Sequence, residues 1–331
     1  MAKVRKKQEK PQSLLEVAEY INKVFEPGTS FLASEKMSIK IPRFSSGSLL
    51  LDKALGGGYP KGRIIEIYGG ESSGKTTLSL MATREVQKAG GNVAFIDAEH
   101  ALDLEYAKKL GVDEKKLVIT QPNYGEQALD ILEQYIGTEL FDLIVVDSVA
   151  ALVPKAELEG EAGEFQMGLQ ARMMSQAMRK ITPKLQKTNT TVIFINQTRS
   201  KIGVMFGSPT TTTGGNALKF YASQRLETAR IKAIKNGDDV VGHILQVKVV
   251  KNKVSTPYQK AQLPLIYGKG VYEIAEIVQL ALDNGILEKS GASYKFEGNH
   301  IARGLFNLYD ILDDNPEILE KIKENLTQNP I

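Results

Sequence analysis

The chain has 331 residues and a formal net charge of +3, with 42% hydrophobic and 24% charged residues. At about 100–200 residues per domain, this length predicts about two domains, and the composition excludes collagen-like, low-complexity and wholly disordered proteins. A net charge this small does not indicate a nucleic-acid partner by itself, so any basic surface must arise from local clustering.

The chain contains no cysteine, which excludes disulfides, thiolate nucleophiles and cysteine-ligated metal sites. His100, His243 and His300 lie far apart and form no metal-ligand pattern. No apolar stretch approaches the roughly 20 residues of a membrane span, and the basic residues at the N-terminus are not followed by a signal-peptide core. We therefore expect a cytoplasmic protein.

Three regions follow one another along the chain. Residues 1–36 hold a basic arm and then an amphipathic helix, whose apolar pattern ends at Pro27-Gly28. A lone helix this short is marginal in water, so its apolar face must pack on its own chain or on a neighbouring one. Residues 37–272 form the central region. Residues 273–331 are expected to form a small α+β lobe, with a helix at 273–284, a hairpin at 286–301 and a helix after Pro316.

The central region alternates short apolar strands with helices. Continuous apolar runs, typical of strands buried on both faces, occur at Ile64–Tyr68, Val93–Ile96, Leu143–Val146 and Val192–Ile195. Helices are predicted at 75–89, 100–110, 125–136 and 167–187, and further strands, expected to be antiparallel, at 226–231, 244–250 and 262–266. This alternation predicts an α/β fold, a mostly parallel central sheet flanked by helices, with ligands at the carboxyl ends of the strands.

A phosphate-binding motif lies between the first predicted strand and the helix after it. Residues 69–76 read Gly-Gly-Glu-Ser-Ser-Gly-Lys-Thr and match G-x-x-x-x-G-K-[ST] in full. Glycines let successive N–H groups point at phosphate oxygens, and the helix N-terminus adds its dipole. Lys75 is expected to reach the β/γ-phosphates and Thr76 to ligate Mg²⁺. The expected nucleotide-binding residues here are Gly69, Gly70, Glu71, Ser72, Ser73, Gly74, Lys75, Thr76 and Thr77.

Polar residues end three more strands at the same predicted edge. Asp147 follows an apolar strand in the Walker B pattern, so it is the expected partner of Thr76 in holding Mg²⁺. Glu99 could polarise the attacking water as a general base, or it could be an acid stabilised by a helix N-terminus. Gln197 could hydrogen-bond the γ-phosphate and respond to its loss, or it could cap backbone at a strand end.

Two segments have unusual compositions. Residues 157–168 are glycine-rich and acidic, and residues 198–215 form a predicted loop whose length is typical of functional or disordered loops. The second combines the cations Arg199 and Lys201 with apolar residues such as Ile202. Cations suit phosphates, apolar side chains can insert between bases, and backbone N–H groups near Gly214, Gly215 and Asn216 can contact a phosphate chain. A disordered surface loop is the alternative.

Together these residues resemble the bacterial RecA recombinases. The resemblance runs from about residue 38 to 310 and more loosely over both ends. Its most specific segments are Gly70–Thr77, Phe95–Leu104, Val145–Ala151, Met173–Lys180, Phe194–Gln197, Lys201–Gly207 and Thr211–Ala222.

The resemblance implies a DNA-dependent ATPase that uses ATP and Mg²⁺. Such a protein polymerises on single-stranded DNA as a helical filament, pairs that strand with homologous duplex DNA and exchanges strands in DNA repair. It also implies a role in damage signalling through self-cleavage of a LexA-type repressor, and filament regulators as further partners.

The resemblance also implies roles for individual residues. Glu99 would be the catalytic base, while Asp103, Tyr106 and Tyr267 would hold the adenine. Lys251 and Lys253 would reach the γ-phosphate bound by the neighbouring subunit, with Phe220 at the same interface, and the N-terminal helix would pack on the next protomer. The 157–168 and 198–215 segments would be the two DNA-binding loops. The residues lining the DNA would be Met167, Arg172, Ser175, Arg179, Arg199 and Ile202.

Two other classes share the phosphate motif. A hexameric DNA helicase or clock-type ATPase would have the same core, and a helicase would unwind forked duplex DNA as it moves. A small-molecule kinase should carry an arginine-rich lid and an acceptor pocket, where this chain has a Gly/Thr-rich segment.

Overall fold

The computed structural model describes residues 11–36, 41–161, 168–200 and 210–328. The chain forms two units, residues 1–42 and 43–331, which we describe separately. The described helices are α1 Leu14–Val24, α2 Ala33–Lys36, α3 Leu49–Leu55, α4 Lys75–Lys88, α5 Leu104–Lys109, α6 Gly125–Thr138, α7 Lys155–Glu159, α8 Leu169–Thr188, α9 Ala217–Tyr221, α10 Glu273–Asp283, α11 Leu305–Asp314 and α12 Pro316–Gln328.

The strands form three sheets. They are β1 Arg43–Phe44, β2 Tyr59–Pro60, β3 Ile64–Gly69, β4 Val93–Asp97, β5 Leu117–Thr120, β6 Leu143–Asp147, β7 Thr191–Ser200, β8 Thr210–Thr212, β9 Gln224–Asn236, β10 Asp239–Asn252, β11 Lys260–Ile266, β12 Gly270–Val271, β13 Leu287–Ser290, β14 Ser293–Phe296 and β15 Asn299–Arg303.

The N-terminal unit is built around α1. Ser13 caps this helix by accepting a hydrogen bond from the Glu16 amide, and the Glu16 carboxylate accepts one from the Gln12 amide at 2.6 Å. Ala18 is buried, whereas Leu14 and Phe25 are 78% and 69% exposed. The predicted amphipathic helix is therefore confirmed, and much of its apolar surface faces solvent.

A ten-stranded mixed sheet dominates the second unit. Its strand order is β12-β11-β10-β9-β3-β7-β6-β4-β5, with β8 paired to β7. The six strands from β9 to β5 pair in parallel, while β9 to β12 form an antiparallel extension. The predicted mostly parallel sheet is confirmed. Its central strands are apolar on both faces because helices cover both.

The two faces of this sheet bury separate cores. Ile65 and Ile67 of β3 pack in a cluster with Leu78 and Met81 of α4. Residues of the opposite parity in the same strands, such as Phe194 of β7, pack in a second cluster with Met178 of α8. Alternate residues of each strand therefore pack against α4 on one face of the sheet and against α8 on the other. Packing on both faces fixes the position of the strand ends.

The C-terminal lobe contains α10, α11, α12 and the three-stranded sheet β13-β14-β15, around its own apolar cluster. The prediction of a single hairpin at 286–301 was wrong by one strand, and α11 was not predicted. Glu276 of α10 joins this lobe to α3. Its carboxylate accepts hydrogen bonds from the Ser48 hydroxyl at 2.5 Å and the Leu49 amide at 3.2 Å.

The structure corrects three further predictions. The helix expected at 100–110 begins only at Leu104, because the Asp97 carboxylate holds the Ala101 and Leu102 amides and His100 adopts a φ of 55°. The loop expected at 198–215 is partly strand, since β7 continues to Ser200 and β8 at Thr210–Thr212 pairs back on it. The segment 157–168 begins inside α7.

Glu276 gives the fold a pH dependence. It is 0% exposed, and burial raises its pKa to about 7 from an ordinary value of 4.5. Because the folded state holds this proton more tightly than the unfolded state, the free energy of unfolding falls as pH rises from about 4.5 to 7. An amide cannot ionise, so Glu276→Gln should remove about 1–3 kcal/mol of this pH dependence, measured by urea unfolding from pH 5 to 8. Exposed Glu288→Gln is the control, and parallel curves for wild type and Glu276→Gln would contradict the assignment.

Candidate functional site

The phosphate loop lies between β3 and α4, as the motif predicts. β3 ends at Gly69 and α4 begins at Lys75, after Gly74 with a φ of 77°. The Lys75 ammonium donates to the Gly70 carbonyl at 2.6 Å and lies 3.4 Å from the Gly69 carbonyl. Burial lowers the pKa of Lys75, and the nearby carboxylates of Asp147, Glu99 and Glu71 oppose that shift. A cation is thus held inside a ring of backbone groups at a helix N-terminus.

Ser73 braces this loop against the sheet. Its hydroxyl donates to the Gly70 carbonyl at 2.8 Å and lies 2.8 Å from the Thr228 hydroxyl of β9. A Cβ at Gly69 would lie 2.3 Å from the Thr228 carbonyl oxygen, so this position requires glycine. The loop is therefore fixed on the β9 side, while Gly70 and Glu71 are exposed.

Thr76 and Asp147 meet at the carboxyl ends of β3 and β6. The Thr76 hydroxyl donates to the Asp147 carboxylate at 2.9 Å. Burial raises the pKa of Asp147 to about 6, although the bond from Thr76 works in the opposite direction. In the described parts of the chain there is no cluster of three or more acidic or histidine side chains suited to a metal. One hydroxyl and one carboxylate suit a cation whose other ligands come from a phosphate chain or water.

Glu99 and Gln197 are in direct contact. The Gln197 side-chain amide donates to the Glu99 carboxylate at 2.9 Å, and the Ser148 hydroxyl donates to the same oxygen. The Ala98 and Glu99 amides both donate to the Asp147 carbonyl, at 2.7 and 3.3 Å. Ser148 was not singled out from the sequence, although it follows Asp147 directly at the end of β6. The structure thus brings the three predicted strand-end residues, Glu99, Asp147 and Gln197, together at one edge.

A cavity of about 420 Å³ adjoins the phosphate loop. It is lined by Ser72, Ser73, Gly74, Lys75, Thr76, Thr77, Tyr106, His243, Leu265, Tyr267 and Gly268. The Tyr106 hydroxyl lies 3.0 Å from that of Thr77, and the Arg230 guanidinium donates to the Tyr267 hydroxyl at 2.8 Å. Asp103 is not among the lining residues. It caps α5, accepting from the Tyr106 amide at 2.9 Å.

His243 is a lining residue that sequence reasoning missed. It belongs to no metal-ligand pattern in the sequence, and its approach to the phosphate loop depends on the pairing of β10 with β9. Its ring lies 5.8 Å from that of Tyr267, and burial lowers its pKa. A larger cavity of about 760 Å³ lies between β10, β11 and the C-terminal lobe, but none of the predicted site residues line it.

Lys251 and Lys253 contact α9. The Lys251 ammonium donates to the Lys219 and Phe220 carbonyls at 2.6 and 2.9 Å, and the Lys253 ammonium donates to the Phe220 carbonyl at 3.0 Å. Burial and the neighbouring charge of Lys253 lower the pKa of Lys251 to about 8. The Phe220 side chain is 71% exposed. Both lysines therefore bind the backbone of a residue whose aromatic side chain is exposed.

The described residues among those expected along DNA lie on α8, on β7 and before α9. Arg172, Arg179 and Arg199 are exposed, while the Ser175 hydroxyl donates to the Ala171 carbonyl within α8. Gly214 and Gly215 have φ of 78° and 72°, and a Cβ on Gly215 would lie 2.7 Å from the Ala171 Cβ. Asn216 accepts a bond from Lys219 at 3.1 Å. Met167, Lys201 and Ile202 lie outside the described residues.

Comparison with known proteins decides the family. Residues 12–272 match the RecA N-terminal domain and residues 275–329 match the RecA C-terminal domain. Protein RecA of Acinetobacter baylyi is 54% identical over 315 residues, which cover 95% of this chain and 90% of the relative. Protein RecA of Pseudomonas fluorescens strain Pf-5 is 60% identical over 291 residues, 86% of this chain and 83% of the relative.

The chain belongs to the RecA family. As a RecA protein it is a nucleotide-binding, DNA-dependent ATPase of homologous recombination and DNA repair, which binds DNA and forms filaments. The helicase and small-molecule kinase alternatives are set aside by this result. No helix among the described residues of this RecA protein is long and apolar enough to cross a bilayer.

Gly74 offers a test of the phosphate loop. Its φ of 77° is unfavourable for a side chain, and a Cβ would lie 2.8 Å from Leu245 Cδ2. Gly74→Ala should lower the free energy of unfolding by about 1–2 kcal/mol and weaken nucleotide binding. Gly70→Ala is the matched control, since nothing lies within 4 Å of its Cβ. It should change stability by less than about 0.5 kcal/mol. Urea unfolding and fluorescent-nucleotide titration measure both, and equal stability of the two variants would show that the loop is not strained as described.

Proposed function

We propose that ATP is the nucleotide of this RecA protein and that residues 69–77 bind its phosphates. The buried Lys75 ammonium, surrounded by backbone groups at the start of α4, supports this because triphosphate oxygens would complete its hydrogen bonds. The cavity beside the loop provides room for the base between Tyr106 and Tyr267. Asp103 caps α5, the helix that carries Tyr106, and would act on the adenine side by positioning that tyrosine.

Thr76 and Asp147 would hold Mg²⁺. Their 2.9 Å contact pairs a hydroxyl with a buried carboxylate, the hard oxygen ligands that this ion prefers. When bound, Mg²⁺ neutralises phosphate charge. The fit is supported by the raised pKa of Asp147, because a nearby cation would stabilise the ionised carboxylate that burial disfavours.

The contact between Gln197 and Glu99 is the observation that carries the proposed mechanism. Glu99 would take a proton from the attacking water, with Gln197 and Ser148 orienting its carboxylate. Gln197 is also the last residue before the 198–215 segment. Binding or loss of the γ-phosphate that changes the contacts of Gln197 would therefore change the position of the adjoining DNA-binding segment.

Lys251 and Lys253 would complete the ATP site of the neighbouring protomer. Their ammonium groups bind the carbonyl of Phe220, whose exposed ring has the character of an interface anchor. The Lys251 pKa of about 8 means that this side chain is partly neutral near pH 8. An anionic phosphate beside it would favour the charged form. The exposed apolar face of α1 would pack on the next protomer as well.

The DNA path would follow α8 and the paired ends of the 198–215 segment. Arg172, Arg179 and Arg199 would neutralise phosphates, and Ser175 would lie between the two arginines of α8. The backbone at Gly214, Gly215 and Asn216 would offer N–H groups to the phosphate chain. Met167, Lys201 and Ile202 would extend this surface, with Met167 and Ile202 separating bases.

The wider setting follows from the family. We propose a cytoplasmic RecA filament that pairs single-stranded with homologous duplex DNA, with a LexA-type repressor and filament regulators as further partners. We also propose the organisation into an oligomerisation segment at 1–36, an ATPase core at 37–272 and a C-terminal lobe at 273–331.

Glu99→Gln should bind ATP with near-normal affinity and hydrolyse it about 100-fold more slowly or worse, because the amide still accepts from Gln197 but cannot take a proton. Single-turnover hydrolysis and nucleotide titration separate the two effects. Glu105→Gln, an exposed acid on α5, is the control and should be normal. Normal hydrolysis by Glu99→Gln would assign the base elsewhere.

Arg199→Ala should weaken binding to single-stranded DNA and lower the slope of log affinity against log salt by about 0.7, the loss of one phosphate contact. Its ATP affinity should not change. Lys115→Ala removes an exposed cation beyond α5 and serves as the control. A salt titration that coincides with wild type would show that Arg199 does not touch DNA.

One experiment tests the whole proposal. ATP turnover is measured with and without single-stranded DNA, and the same mixtures are imaged by electron microscopy. We expect DNA to stimulate turnover and filaments to form with ATP. A monomeric protein whose turnover ignores DNA would refute the proposed function.

A further inference from the structure

A buried ion pair crosses the centre of the sheet beside the phosphate loop. Glu66 of β3 is 0% exposed, at a position where its strand neighbours Ile65 and Ile67 are apolar. One carboxylate oxygen accepts from the Arg225 guanidinium of β9 at 2.5 Å, and the other accepts from the Asn196 side-chain amide of β7 at 2.9 Å. Glu66 therefore joins the three central strands through polar contacts on one face of the sheet.

Asn196 also contacts the residue just before the 198–215 segment and a residue near its end. Its side-chain nitrogen donates to the Thr213 carbonyl at 3.1 Å, as well as to Glu66. Its side-chain oxygen accepts from the Thr213 hydroxyl at 2.5 Å and from the Gln197 amide at 2.8 Å. Gln197 in turn donates to Glu99. A continuous series of hydrogen bonds therefore runs from Arg225 to Glu99, with Thr213 as a side branch.

Stability does not explain this arrangement. Replacing a buried ion pair by apolar residues of similar volume is often neutral or stabilising, so such a pair is weak support for the fold. The pair does fix the orientation of the Asn196 side-chain amide. Because Glu66 only accepts, it forces the nitrogen of Asn196 towards β3 and leaves the oxygen for Gln197 and Thr213. The charges of Arg225 and Glu66 also act on Lys251, at the proposed subunit interface.

We propose that Glu66, Asn196 and Arg225 are positioning residues that couple the ATP site to the DNA-binding segment. Glu66 orients the Asn196 amide, and that amide fixes Gln197, just before the segment, and Thr213, near its end, in one register with Glu99. This inference rests on the proposed roles of Gln197 and Glu99 and adds the element that connects them to DNA.

Glu66→Gln tests the coupling with little change of shape. The new amide can still accept from Arg225, but it then presents a donor to the donor of Asn196, so one of the Asn196 contacts must break. Turnover with single-stranded DNA should fall about tenfold, while DNA-free turnover and the KM for ATP change less than about twofold, the size expected for one coupled contact. A purely structural role would lower both turnovers together.

A second substitution should restore the match. In Glu66→Gln with Asn196→Asp, the amide at position 66 donates to the carboxylate at position 196, which can still accept from Gln197 and the Thr213 hydroxyl. The bond from position 196 to the Thr213 carbonyl is lost. We expect the double variant to regain part of the DNA stimulation that Glu66→Gln loses, because one of the two contacts of the Asn196 nitrogen is replaced. Asn196→Asp alone should lose the stimulation because two acceptors then face each other. The matched control is Glu276→Gln, the same change at another fully buried glutamate, which should keep a normal ratio of DNA-stimulated to DNA-free turnover.

Amide hydrogen exchange gives a readout that needs neither ATP nor DNA. Peptides covering residues 196–200 and 210–213 should exchange faster in Glu66→Gln. In the double variant the 196–200 peptide should return towards the wild-type rate. If Glu66→Gln fails to fold, the double variant decides. Normal DNA stimulation in Glu66→Gln, or a folded double variant that stays uncoupled, would overturn the inference while leaving the ATPase assignment intact. A wild-type protein that DNA does not stimulate would instead refute the proposed function, and the coupling with it.

Discussion

Parallel pairing of four strands is the constraint on which the site depends. β4, β6, β7 and β3 lie in register, so that Asp97 pairs with Asp147 and Tyr68 with Asn196. Because parallel strands present all their carboxyl ends at one edge, residues far apart in the chain meet there without long side chains. The Thr76–Asp147 and Gln197–Glu99 contacts both follow from this register. A shift of one residue in β6 or β7 would turn these side chains to the opposite face of the sheet.

Much of the site at this sheet edge could be predicted because short, contiguous sequence patterns mark its residues. The phosphate loop is a contiguous motif, and Asp147, Glu99 and Gln197 each follow an apolar run within a few residues. A buried strand has a recognisable composition, and the first polar residue after it marks where it leaves the core. Chain order and the rule for parallel sheets then suffice to bring these residues together.

The missed features depend on contacts between distant segments. The pairing of β8 with β7 needs both ends of the 198–215 segment in place, so its threonines look like a loop in the linear sequence. The turn at Ala101 and Leu102 is set by the Asp97 carboxylate, which outweighs the helical pattern of the residues. His243 and Glu66 gain their meaning only from the strands beside them. The adjacent apolar residues gave no indication that Glu66 would have partners on β7 and β9.

The bonds from Lys251 and Lys253 to α9 have a consequence for assembly. In an isolated protomer the two ammonium groups already occupy the carbonyls at the end of this helix. In the proposed filament, a phosphate from the adjoining subunit must compete with those carbonyls, so polymerisation exchanges one set of bonds for another. A neutral group that took the place of the carbonyls would bind the lysines no more tightly than the carbonyls do. A highly charged anion would bind them much more tightly. Growth of the polymer would then be graded by how much negative charge the bound nucleotide retains, and a spent nucleotide would let the lysines return to their own helix.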